Sequence, residues 1–373
     1  MPRLLMVAQP TIAGVAQCVH DWSVGLRARG WDVFVACPPG PGASDCLKSE
    51  IPVETWQSVR SPQAHVIREA RALRRIVVAT QPDVVMLHSS KAGLVGRLAI
   101  LGSRPTVFVP HAWSFDALGG LAAAAATHWE RHAARWTRLI ICVSEAERRR
   151  GQDVGINAPM VVARNGVDVA ALKAFAAGDR GELRARLGVA AGTTVVVCVG
   201  RLSAQKGQDL LLDAWGRLRS CDAGVQLRQL YLIGDGPATA ALRAEAASLP
   251  DVTFVGAVDR ATAIQWLAAA DLVVVPSRWE GMALVPIEAL AVGTPVVATD
   301  VTGAKEAVGP PLGALVAPDD PAALTEVMAK WLAISDTERS LIATQAESLI
   351  ASEFSLDRTV ETVDAALRDI LRH

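Results

Sequence analysis

Two carboxylates, Glu280 and Glu288, have seven residues between them in "SRWEGMALVPIEALAVGTPVVATD", a stretch that is otherwise almost wholly apolar or small. A carboxylate in such company needs partners, because burying it unpaired is costly. "LVVVPS" before it reads as a strand and "PIEALAVG" as a helix with Pro286 in its first turn. Glu280 is therefore expected in the loop at the strand's carboxyl end, and Glu288 one to two turns into the helix. The intervening Gly281, Met282, Ala283 and Leu284 would offer backbone N–H groups at a helix N-terminus, where an anion is favoured. A second loop, "VGRLSAQKGQDLLLDA", turns at Gly200 and carries Arg201 and Lys206 just ahead of a helix. Either cation alone would read as a solvated surface charge. Together at a helix N-terminus they read as an anion site suited to a diphosphate. Hydroxyls, a diphosphate and more hydroxyls are the layout of a nucleotide-sugar.

These loops must be held by a scaffold, and the spacing of apolar runs shows which. "LLMVAQ", "DVFVAC", "VVMLHS", "TVFVPH", "LIICVS" and "MVVARN" recur through the first half. "TVVVCVG", "LYLIGD", "VTFVG", "LVVVPS", "PVVATD" and "GALVAP" recur through the second. Near-continuous apolar runs separated by amphipathic segments indicate parallel strands covered by helices on both faces. Six strands twice over predict an α/β protein of two doubly wound, Rossmann-like domains facing a cleft. The 373 residues suit two domains. Their join is expected within residues 164–181, giving a first domain over 1–165 and a second over 166–353. Ligands of such sheets bind beyond the carboxyl ends of the strands.

Other classes are disfavoured. The loop after the first strand, "QPTIAGVAQ", is not G-x-G-x-x-G, and G-x-x-x-x-G-K-[ST] does not occur. No uninterrupted apolar run reaches the length of a membrane span, and the N-terminus lacks signal-peptide features. Six scattered cysteines (Cys18, Cys37, Cys46, Cys142, Cys198 and Cys221) without C-x-x-C argue against a disulfide framework or zinc site and suit a reducing cytoplasm. No D-x-D stands in a metal-binding context, so no metal and no separate cofactor is expected.

The formal net charge of −1 hides an asymmetry. Residues 1–163 hold 18 Lys and Arg against 12 Asp and Glu, or +6, and the remainder −7. The positive charge gathers in "RSPQAHVIREARALRRIV", in "ERHAARWTRL" and at Arg148, Arg149 and Arg150. Arg68, Arg71 and Arg75 fall along one helix face with Arg74 close by, and Val66, Ile67, Ala70 and Leu73 are expected on its apolar side. Solvated helix faces account for each cluster singly. The basic half as a whole also suits an anionic or lipid-linked acceptor and peripheral contact with an anionic membrane. A nucleic-acid partner is not expected.

In this order and spacing, the motifs resemble the retaining glycosyltransferases of family 4, which have the GT-B fold. E-x7-E with "GTPVVATD" beyond it carries the resemblance. So do "GVAQCVHDWSVGLRARGWDVFVACP", "ARNGVD", "VGRLSAQKGQDLLLDAW", "LIGDGP" and "FVGAV". "LHSSKAGLVGRLA" followed by "VFVPHAWSF" is similar to members that build bacterial surface polysaccharides and glycoconjugates. The resemblance implies that Glu280 contacts hydroxyls of the transferred sugar, with the backbone of residues 281–284 around sugar and phosphates, and that Glu288 holds the ribose. It implies that Arg201 and Lys206 neutralise the diphosphate and stabilise the departing nucleotide. His111 would reach donor sugar and phosphate across the cleft, from a loop that also carries Trp113, Ser114 and Asp116. Gly14 would approach the diphosphate, and Val258, after Gly256, would lie near the base. His88 is read as structural or acceptor-facing. A C-terminal helix over 354–373 would cross back onto the first domain.

The chain departs from the family pattern at Ala13, where a glycine is usual and where φ > 0 would be costly, and at Ala283. The acidic and basic pair expected for guanine is replaced by Arg260 and Ala263, which leaves a UDP-sugar as the default donor. The implied reaction is metal-independent transfer with retention, by front-face departure and attack, to a lipid-linked, glycan or small-molecule acceptor. The rivals are a nucleotide-sugar epimerase of the same fold and an inactive GT-B binding protein.

Overall fold

The computed structural model describes residues 1–59, 65–221 and 227–372, with the side chain of Cys221 outside that set. The segment "RSPQA" of the first basic cluster also lies outside the described residues. The chain forms two compact units, Met1–Asn165 with Leu356–His373, and Gly166–Ser355.

The first unit is built on a parallel sheet of seven strands among the described residues: β1 (Arg3–Ala8), β2 (Asp32–Cys37), β3 (Val53–Thr55), β4 (Val84–His88), β5 (Thr106–Val109), β6 (Leu139–Cys142) and β7 (Met160–Val162). Their order is β3-β2-β1-β4-β5-β6-β7. The second unit has six parallel strands: β8 (Thr194–Val199), β9 (Arg228–Ile233), β10 (Val252–Gly256), β11 (Leu272–Val275), β12 (Val296–Thr299) and β13 (Gly313–Val316), ordered β10-β9-β8-β11-β12-β13. The expected six strands of the first unit thus become seven. β3 has only three residues, two of them exposed, so it leaves no apolar run to read.

Every residue of β4, β5 and β11 is buried, as sheets covered on both faces require. Leu5, Leu73, Leu87 and Phe108 centre the first core, and Leu211, Trp215, Leu232 and Val274 the second. In each sheet the order reverses beside the first strand of the unit, between β1 and β4 and between β8 and β11. A crevice opens at the carboxyl ends there, because the connections on either side leave in opposite directions.

The helix Leu356–Arg372 belongs to the first unit. It docks on the helix Ala13–Ala28, where a Cβ on Gly25 would come within 2.7 Å of Val360. The Trp31 indole donates to Asp364 (2.6 Å) and the Arg368 guanidinium to the Arg29 carbonyl (2.7 Å). Cys18, Cys37, Cys46, Cys142 and Cys198 are buried thiols that form no disulfide among the described residues. Among the described residues no helix is long and apolar enough to cross a membrane.

Candidate functional site

In the second unit both chemically loaded loops leave the switch point. The segment after β8 carries Gly200 and Arg201, then a single 3-10 turn, Ala204–Lys206, and the helix Gln208–Cys221. The segment after β11 runs through Ser277 and Glu280 into the helix Leu284–Ala291, so Leu284 is helical rather than part of the loop. Two glycines let these loops and the segment after β12 converge. Gly207 has φ +65°, and a Cβ there would meet the Pro276 carbonyl oxygen at 2.0 Å. Gly303 has φ +76°, and a Cβ there would meet the Gly281 carbonyl oxygen at 2.1 Å. Arg278 adds a clamp between the loops. Its guanidinium donates to both carboxylate oxygens of Asp209 (2.9 and 2.6 Å) and to Asp319 (2.7 Å).

The cations are not equivalent. The Lys206 ammonium pairs with Glu280 Oε1, which also accepts the Ser277 hydroxyl at 2.8 Å. Lys206 therefore brings its charge to a carboxylate of the protein, where an anionic ligand was expected. Glu280 Oε2 has no protein partner among the described residues. Arg201 lies within salt-bridge distance of no carboxylate among the described residues, and burial alone pulls its guanidinium below the usual range. Arg201 is thus the uncompensated cation of the site. A pocket beside Glu280 is lined by Ser277, Met282, Ala283, Thr299 and Gly303. Glu288 is buried and pairs with Arg260 at 3.0 Å. Val258 is partly buried next to Asp259, whose carboxylate caps the helix Arg260–Ala269 by accepting the Thr262 N–H at 2.8 Å.

In the first unit His111 lies two residues beyond β5, with φ +54°, followed by Ala112 at +106°. Such conformations cost about 1–3 kcal/mol each and persist only where surrounding contacts impose them. Glu147, fully buried, imposes these: its carboxylate accepts the Ala112 N–H (2.7 Å) and the Val143 N–H (2.8 Å), while its carbonyl accepts the Trp113 indole (2.8 Å). Sequence reasoning missed Glu147. The S-x-x-E spacing from Ser144 marks the start of the helix Glu145–Asp153, but not the loop this glutamate holds.

His88, ending β4, is fully buried and lies 3.0 Å from His111 (Nδ1 to Nε2), with the rings stacked. Burial, reinforced by the neighbouring imidazole, holds His88 well below the usual histidine range, and burial pulls His111 to about 4. Both rings are neutral at pH 7. Ala13 has φ +59°, so the first loop does demand the left-handed conformation that an alanine adopts at a cost, while Gly14 beside it does not.

Two expectations about charge and burial change. Arg148 and Arg149 pair with Glu145 and Arg150 with Asp116, so that cluster is largely neutralised. On the helix Val66–Thr80, Ile67 is 66% exposed and belongs to the solvent side. It lies there with Val78 and Arg68, Arg71, Arg74 and Arg75, while Leu73 and Val77 face the core.

A family model described as Glycosyltransferase Family 4 matches residues 12–171, and one described as Glycosyl transferases group 1 matches residues 193–333. Residues 12–171 thus carry a family 4 glycosyltransferase domain and residues 193–333 a group 1 glycosyltransferase domain. It is 34% identical to the D-inositol 3-phosphate glycosyltransferase of Actinosynnema mirum, over 61% of this chain and 57% of that relative. It is 32% identical to the lipopolysaccharide core biosynthesis mannosyltransferase LpsB of Rhizobium meliloti, over 52% and 57%. The chain spans about half the length of the curated relatives it matches. A crystal structure of Anabaena Alr3699/HepE in complex with UDP and glucose matches with TM-score 0.84, covering 99% of this chain and all of that one at 23% identity. The two Rossmann-like units are those of the GT-B fold of glycosyltransferases.

Proposed function

We propose that the chain transfers a sugar from a nucleoside-diphosphate-sugar, with UDP as the favoured nucleotide, to an acceptor, retaining the anomeric configuration and using no metal. The observation that carries this reading is Arg201, a partly buried cation without countercharge at the switch point of the group 1 glycosyltransferase domain. A diphosphate supplies the missing charge. As the bond between the anomeric carbon and the diphosphate oxygen breaks, negative charge grows on that oxygen, and a preorganised guanidinium stabilises it more than it stabilises the ground state. The acceptor hydroxyl attacks from the same face and passes its proton to the departing diphosphate. Lys206 and Ser277 fix Glu280 through Oε1, leaving Oε2 for sugar hydroxyls. Glu288 with Arg260 serves the ribose side, near Val258 and the base. Gly14 and Gly200 give backbone access to the phosphates, with the N–H groups at the start of the helix after Ala283 nearby. The preference for UDP is supported by Arg260 and Ala263 and by the UDP held by the Anabaena protein. An anionic or lipid-linked acceptor fits the arginines of the helix Val66–Thr80.

Incubation with UDP- and GDP-sugars, following slow hydrolysis with and without chelator, tests the reading. The expected result is consumption of a UDP-sugar that chelator leaves nearly unchanged. Activity abolished by chelator and restored by magnesium or manganese would overturn the metal-free mechanism. Consumption of GDP-sugars alone would overturn the choice of nucleotide.

A further inference from the structure

We infer that His88 is a positioning residue that fixes the tautomer of His111, so that His111 presents Nδ1–H as a hydrogen-bond donor to an oxygen of the bound ligand. The ligand in question rests on the proposed function; the tautomer does not. His88 Nδ1 and His111 Nε2 lie 3.0 Å apart. Two neutral imidazoles share one proton in such a contact, and which ring donates decides what each outer nitrogen carries.

If His111 donated, His88 would have to carry its remaining acceptor at Nδ1 and its N–H at Nε2. His88 Nε2 is buried without a partner, in a ring packed against the fully buried Trp22 with centroids 5.5 Å apart. An orphaned buried N–H costs about 1–3 kcal/mol, and native structures tolerate it less readily than an under-used acceptor. The arrangement that strands no donor has His88 donating from Nδ1 and keeping a bare Nε2.

His111 then accepts at Nε2, and its own proton must reside on Nδ1. That nitrogen has no protein partner among the described residues, and His111 retains accessible surface. The strained backbone at His111 and Ala112, pinned by Glu147, holds the ring in place. The loop thus offers a neutral donor of fixed direction, suited to a sugar hydroxyl or phosphate oxygen.

Nitrogen NMR of histidine-labelled protein at pH 7 tests the tautomers directly and needs no substrate. The expected result is Nδ1–H on both His88 and His111. Nε2–H on either ring overturns the inference and leaves the proposed function untouched. The positioning role is tested with His88→Asn, whose amide places a donor near the Nδ1 position, and His88→Leu, which places none. With UDP-glucose as probe, His88→Leu should lower the hydrolysis kcat on the order of 10- to 100-fold, the scale for losing a group that orients a functional histidine. Its KM should change little, its His111 signal should become a mixture of tautomers, and His88→Asn should recover most of the loss. Wild-type kcat in a folded His88→Leu overturns the positioning role. If UDP-glucose is not turned over at all, the proposed donor fails, and the tautomers of wild type and variants still decide the inference.

Discussion

Replacing Arg201 with alanine separates binding from stability, because the side chain has no countercharge to lose. In the ligand-free protein its removal deletes a partly desolvated cation and no ion pair among the described residues. The melting temperature should therefore stay the same or rise. Toward a diphosphate the same change deletes charge-assisted hydrogen bonds worth about 1.5–3 kcal/mol, which at about 1.4 kcal/mol per decade weakens UDP binding roughly 10- to 150-fold. The transition-state loss should be larger, on the order of 2–4 kcal/mol, since charge grows on the leaving oxygen. Lys206→Ala should behave in the opposite sense for stability. It leaves the largely buried Glu280 carboxylate, 12% exposed, with only Ser277, at a cost of about 1–3 kcal/mol. Calorimetric titration with UDP in chelator, paired with thermal melts of both variants, reads the two effects separately. Arg201→Ala binding UDP as tightly as wild type, or melting well below it, would refute the reasoning.

The histidine pair predicts a pH dependence of stability. Burial pulls His111 to about 4 and holds His88 well below the usual histidine range in the folded chain, against about 6.5 unfolded, so below pH 6.5 the unfolded state binds more protons and folding weakens. Urea melts should lose up to about 1.4 kcal/mol per pH unit per histidine between pH 6.5 and 5, with a shallower slope in His111→Asn. Equal slopes would count against it. Gly207→Ala places a Cβ 2.0 Å from the Pro276 oxygen and should destabilise by roughly 3 kcal/mol or more, measurable by urea melts; a neutral result would mean the two loops do not need this approach. Arg68, Arg71, Arg74 and Arg75, at about 1 kcal/mol each near an anionic surface, should give weak, salt-sensitive sedimentation with anionic vesicles. No binding even in low salt would remove the membrane-facing reading.

Alternating buried strands and amphipathic helices specify a doubly wound sheet through short-range pattern alone, because both faces of every central strand must be apolar. Twelve of the strands were legible on that basis. β3 was not, since three residues at a sheet edge, two of them exposed, carry no pattern. The loops bearing Arg201, Lys206, Glu280 and His111 were legible as well, because they follow strands in a fold whose ligands gather there. What the sequence could not decide was how charges are shared between loops distant in the chain. Lys206 and Glu280 meet because Gly207 lets the segment after β8 close on the segment after β11, so one of the two loop cations pairs with a carboxylate of the protein. Ile67 faces solvent, since the direction of a helix face is fixed by what it packs against and not by its own periodicity. His88 and Glu147 gain their roles around His111 the same way. A buried imidazole or carboxylate takes its meaning from the partner that tertiary packing brings within about 3 Å, and linear spacing does not contain that distance.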